Sequence, residues 1–170
     1  MSKVLQGSFE LYNNSSIKIK GKSFDLNSFK GLNDILQKLI HENKTKNINV
    51  IGNFNTELQL NSIFSKANEI DEALALLQHI TRTIEESSIK FISHVNGVVR
   101  GPALELVLSC NCIKAKIDTS LDFTYASEDI IPFFGSIQRV IKIYKSISKV
   151  LIPKRFFFVN IFTYLIINNF

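Results

Sequence analysis

The sequence predicts an α/β fold on three observations. Short β-favouring runs alternate with longer amphipathic ones, several of the short runs close on Asn or Gly turn residues, and the 45% apolar share is that of a chain that folds. A length of 170 residues suits one ordinary domain and leaves no room for two large ones.

Taken in order, Phe9 to Tyr12 and Ile17 to Lys20 flank Asn13-Asn14-Ser15-Ser16, so two strands joined by a turn are expected. Leu32, Ile35, Leu36, Leu39 and Ile40 recur at helical spacing, and Asn27 or Ser28 could cap that helix. Ile48 to Ile51 reads as a short buried strand ending in a loop from Asn53 to Asn55. Over 69–86 the apolar residues Ile70, Ala73, Leu74, Leu77, Ile80 and Ile84 share one face, which predicts an amphipathic helix. Phe91 to Val95 then reads as a strand ending at Asn96-Gly97. Pro102 to Ser109 reads as a short apolar helix entered through Gly101, because proline suits the first helical position. Strands are expected again at about 112–117 and 121–125.

Composition narrows function by exclusion. The net charge is +5, but the lysines are dispersed and no basic run is interleaved with aromatics, so no nucleic-acid partner is expected. Cys110 and Cys112 are too few and too close for a disulfide framework, and no basic-then-apolar signal opens the chain, so a reducing cytoplasm is expected. No metal is expected either: Cys-x-Cys supplies two of the four ligands zinc wants, and His41, His79 and His94 lack ligand spacing. No Walker loop, GxGxxG, HExxH or GxSxG occurs.

One stretch is more specific. In "ISHVNGVVRGPALELVLSCNCIKAK" a strand runs into Asn96-Gly97, then through Gly101 into a helix carrying Glu105 and, after an apolar run, Cys110. In "IIPFFGSIQRV", without a gap, Pro132, Gly135, Gln138 and Arg139 follow. These segments resemble the signatures of the enoyl-CoA hydratase (crotonase) family, closest to the hydratase half of multifunctional fatty-acid-oxidation proteins. Upstream, "GNFNTELQLNSIF" falls where that family carries Gly-Ala-Asp, so the resemblance covers about residues 50–153.

The resemblance implies a spiral of ββα units that binds acyl-CoA, as substrate or ligand, and needs no further cofactor. Two backbone N–H groups would grip the thioester oxygen, where negative charge develops in the transition state, and two glutamates would handle the proton and the water. Carried over by register, Glu105 matches the first glutamate and is the candidate acid/base. The second falls on Tyr125, with Glu128 the nearest carboxylate. The two oxyanion positions fall on Phe54 and Pro102, and proline has no N–H to give. Whether the chain is an enzyme is left open by these departures.

Residues 1–153 are expected to form the core and 154–170 an apolar aromatic tail outside the match. The tail's run "FFFVNIFTYLIINNF" is shorter than the roughly 20 apolar residues of a membrane helix, so no integral span is expected. The family continues into helices that cover the pocket and build oligomers, and this sequence lacks that pattern. The expectation is a C-terminally truncated relative, without the family's homo-oligomer, that has little or no hydratase activity. A non-catalytic acyl-CoA-binding or subunit-docking module is the alternative, and an active hydratase or isomerase using Glu105 is a further one.

Overall fold

The computed structural model describes residues 4–6, 8–42, 44–58, 67–122 and 138–141. Its central feature is a six-stranded mixed sheet with strands β1 (Val4–Gln6), β2 (Phe9–Tyr12), β3 (Ser16–Ile19), β5 (Asn47–Gly52), β7 (Lys90–Val95) and β9 (Cys112–Ala115), side by side in that order. The first three pair antiparallel, and from β3 to β9 every neighbour is parallel. Parallel neighbours need crossovers, and the chain supplies a helix for two of them and a third, shorter helix for the last.

Each crossover has the same make-up. After β3 comes β4 (Ser23–Phe24) and then helix α1 (Leu26–Glu42). After β5 comes β6 (Glu57–Leu58) and then α2 (Ala67–Glu86). After β7 comes β8 (Val98–Arg100) and then α3 (Pro102–Ser109). The second strands stay out of the main sheet: β4 pairs with β6, β8 pairs with β10 (Ser120–Asp122), and a parallel bridge joins Asn55, just before β6, to Arg100 of β8. The chain is thus a run of ββα units, each stacked on the previous one.

The β2–β3 turn forms as the asparagines predict. Asn13 and Asn14 both take positive φ, 51° and 50°, which asparagine tolerates better than most residues, and the Ser15 N–H donates to the Tyr12 carbonyl at 3.3 Å. At the far end of β5, Gly52 has φ 117°, and a Cβ there would lie 2.2 Å from the Ile19 carbonyl oxygen. Only glycine lets the parallel β3 and β5 close up at that point.

The core lies between the main sheet and the helices. α1 buries Phe29, Leu32, Ile35, Leu36 and Leu39, while α2 buries Ala73, Leu77, Ile80 and Ile84. At one end Phe24 lies between Phe9, tilted against it, and Phe29, edge-on to it, with ring centroids 4.8 and 6.0 Å away. Helix α3 differs in kind: all eight of its residues are buried, as befits a helix that is apolar on nearly every side.

Two sequence expectations need correction. The α1 cap is neither Asn27 nor Ser28 but Asp25, whose Oδ1 accepts the Ser28 N–H at 2.8 Å. The Ser28 hydroxyl also donates to that carboxylate, and its oxygen accepts the Asp25 N–H at 3.4 Å, a reciprocal capping box that occupies Ser28 at the third helical position. The strand expected over 112–117 ends at Ala115, because the chain turns there and the Thr119 N–H donates to the Lys116 carbonyl. Of the strand expected at 121–125, β10 covers Ser120–Asp122, and 123–125 lie outside the described residues, as does the tail from 154.

The cap makes stability depend on acid. Burial would raise the Asp25 pKa, but the Ser28 hydroxyl and the N–H groups of Ser28 and Asp25 itself hold it below its ordinary 3.8. A depressed folded-state pKa contributes stability above the unfolded value, lost as pH falls through the folded one. Asp25→Ala is therefore expected to cost about 1 kcal/mol near neutral pH. Urea denaturation should show that deficit shrinking as pH falls from the ordinary 3.8 through the lower folded-state value.

Candidate active site at the start of helix α3

The strand–turn–helix β8–α3 places the matched residues, and its turn is set by Gly101. There the backbone takes φ 63° and ψ −149°, a conformation reserved to glycine, and a Cβ would lie 2.2 Å from the Thr56 carbonyl oxygen. Pro102 follows at the first helical position, as expected, and contributes no N–H.

The next two donors of the helix are spent inside the chain. Ala103 N–H donates to the Thr56 hydroxyl oxygen at 3.1 Å, and Leu104 N–H donates to the Gly101 carbonyl at 3.0 Å. The Thr56 hydroxyl in turn donates to the Arg100 carbonyl at 2.9 Å. Phe54 is buried on the facing segment, and its carbonyl accepts the Arg100 N–H at 3.0 Å. Phe54 and Pro102, the two positions matched to the oxyanion donors, thus lie on segments bonded directly to each other.

Glu105 occupies the first turn of α3 with no exposed surface. Facing it is Arg139, 8% exposed, on a helical turn at 138–141. Arg139 donates from Nε and Nη2 to the two carboxylate oxygens of Glu85, at 2.9 and 3.2 Å, and its Nη1 lies 3.8 Å from Glu105 Oε2. One guanidinium therefore joins α2 and α3. Gln138 beside it is exposed. Tyr125, Glu128, Pro132 and Gly135 lie outside the described residues.

Sequence reasoning placed Gly101, Pro102 and Glu105 on their elements but missed two side chains. Thr56 gave no signal, being one polar residue in a loop whose partners are 44 and 47 positions away. Arg139 was in register with a motif, but nothing in the sequence tied it to Glu85.

The cysteines stand apart from this site. Burial pushes the Cys110 thiol up to about 12, against a weaker lowering by a hydrogen bond with Ser93, so it stays protonated and unreactive near neutrality. Among the described residues no group of three or more His, Cys, Asp or Glu side chains stands together, and no helix is long and apolar enough to cross a membrane.

No family model and no curated protein sequence matches the chain. Solved structures do. An enoyl-CoA hydratase/carnithine racemase from Magnetospirillum magneticum matches with a TM-score of 0.71 at 10% identity, over 82% of this chain and 57% of that one. An enoyl-CoA hydratase from Bacillus anthracis matches at 0.64 and 20% identity, over 75% and 53%. A Legionella pneumophila protein described as an enoyl-CoA hydratase/isomerase (crotonase) matches at 0.66 and 17%, over 83% and 56%. The repeated ββα architecture and these matches together assign the chain the crotonase fold, and the match spans 53–57% of the solved structures that share it.

Proposed function

We propose that this is a degenerate relative of the enoyl-CoA hydratases and isomerases of fatty-acid β-oxidation, a cytoplasmic protein with little or no hydratase activity. One observation carries the reading: Pro102 brings no N–H to the position matched to an oxyanion donor, and the next two N–H groups of α3 are already bonded within the chain. Loss of one such donor costs about 10²–10³ in rate, and loss of an acid/base group, as at Tyr125, about 10²–10⁴. Glu105 is retained, but its burial beside Arg139 suits an ion pair that holds helices together.

Restoring the missing groups tests this. Pro102→Gly returns an N–H and Tyr125→Glu returns a carboxylate. The double variant is expected to hydrate a short enoyl-CoA at least about ten-fold faster than the native chain, and Tyr125→Glu alone to gain little, because these groups act on one transition state as a unit. Equal gain from Tyr125→Glu alone would contradict the role given to Pro102. A parallel titration with a saturated acyl-CoA separates the readings: binding without turnover would favour a non-catalytic acyl-CoA-binding module.

A further inference from the structure

We propose that the Thr56 hydroxyl is the resident ligand of the α3 N-terminus, a built-in cap that keeps an acyl thioester from binding there. The inference rests on the low-activity reading and supplies a device for it that Pro102 alone does not. A helix N-terminus attracts anionic oxygens through its N–H groups, and α3 has eight residues and a proline where the first of those donors would be. The donor that remains nearest, Ala103 N–H, is bonded to an oxygen already, and that oxygen belongs to the chain.

Thr56 is built for this place. It has no exposed surface, and its hydroxyl uses its single proton on the Arg100 carbonyl and a lone pair on Ala103 N–H. Both hydrogen bonds cross from the β5–β6 loop to the β8–α3 turn, so the hydroxyl ties the two segments that a thioester carbonyl would have to part. The Phe54 carbonyl on Arg100 N–H and the Asn55–Arg100 bridge close the same seam. Contact is close as well as bonded: the Thr56 carbonyl oxygen lies 2.2 Å from where a Cβ on Gly101 would be, so the two segments pack backbone to backbone. Restoring an N–H at residue 102 therefore leaves the Thr56 hydroxyl on Ala103 N–H, so adding Thr56→Ala to the Pro102→Gly, Tyr125→Glu variant should raise its rate further.

Amide-resolved NMR on the whole chain tests the cap, with butyryl-CoA as the probe. In the native chain the Ala103 amide is expected to be protected from exchange and to keep its chemical shift as butyryl-CoA is added. Thr56→Ser should preserve both properties. Thr56→Ala should speed Ala103 exchange roughly ten-fold or more, since one buried hydrogen bond is lost, and let butyryl-CoA move that resonance. A shift at Ala103 in the native chain, or unchanged exchange in Thr56→Ala, would overturn the proposal. If Thr56→Ala does not fold, the native titration and Thr56→Ser decide it. Turnover with an unmoved Ala103 would sink the low-activity reading and leave the cap standing, whereas a moved Ala103 without turnover would sink the cap alone.

Discussion

Replacing Gly101 by alanine is expected to destabilise the protein by about 4 kcal/mol, through two costs at one residue. The first is conformational, because φ 63° with ψ −149° is a region where an L side chain is strained. The second is steric: the new Cβ meets the Thr56 carbonyl oxygen at 2.2 Å and its carbon at 3.0 Å. Thr56 cannot retreat cheaply, since its side chain is bonded on both sides. Gly97 is the control. It has the same φ of 63°, but nothing lies within 4 Å of its Cβ position, so Gly97→Ala should cost only about 1–2 kcal/mol. Urea denaturation of both variants checks the pair, and equal costs would show that Thr56 does not press on α3.

Arg139→Met is expected to cost about 3 kcal/mol, because it removes a buried cation from between two carboxylates. Glu85 loses two hydrogen bonds, and Glu105, without exposed surface, loses the guanidinium nitrogen 3.8 Å away. Arg139→Lys should recover part of this, keeping the charge but not the two-pronged geometry on Glu85. Adding Glu105→Leu to Arg139→Met should cost less than the sum of the single changes, since both changes remove the same Arg139–Glu105 contact. Strict additivity would mean that Arg139 and Glu105 do not interact, and would reopen Glu105 to an acid/base role.

What the sequence disclosed follows the length scale of each signal. The helices α1 and α2 repeat an apolar spacing over several turns, and the strands β5 and β7 are apolar-rich runs closed by turn residues, so all four could be read directly, although burial along both strands alternates. The two-residue strands β4 and β6 could not. Two residues carry no periodicity, and such strands exist because β4 and β6 find each other across 34 positions of chain. The site divides in the same way. Gly101-Pro102 states its own conformation, since one residue permits the turn and the other starts the helix. The partner of that turn, Thr56, is a fact of tertiary packing, as is the grip of Arg139 on Glu85. Asp25 was legible in principle, an aspartate three residues before a serine, but Asn27 and Ser28 stand nearer the apolar repeat.

Whether the crotonase fold here keeps a working oxyanion site is decided by the native chain's own rate of hydration of a short enoyl-CoA. Single-turnover measurement with protein in excess should find no hydration above that of a Glu105→Gln variant. A rate typical of enzymes, on the order of 1–10³ s⁻¹, abolished by Glu105→Gln, would contradict the proposed low activity and require that another donor replace the one missing at Pro102.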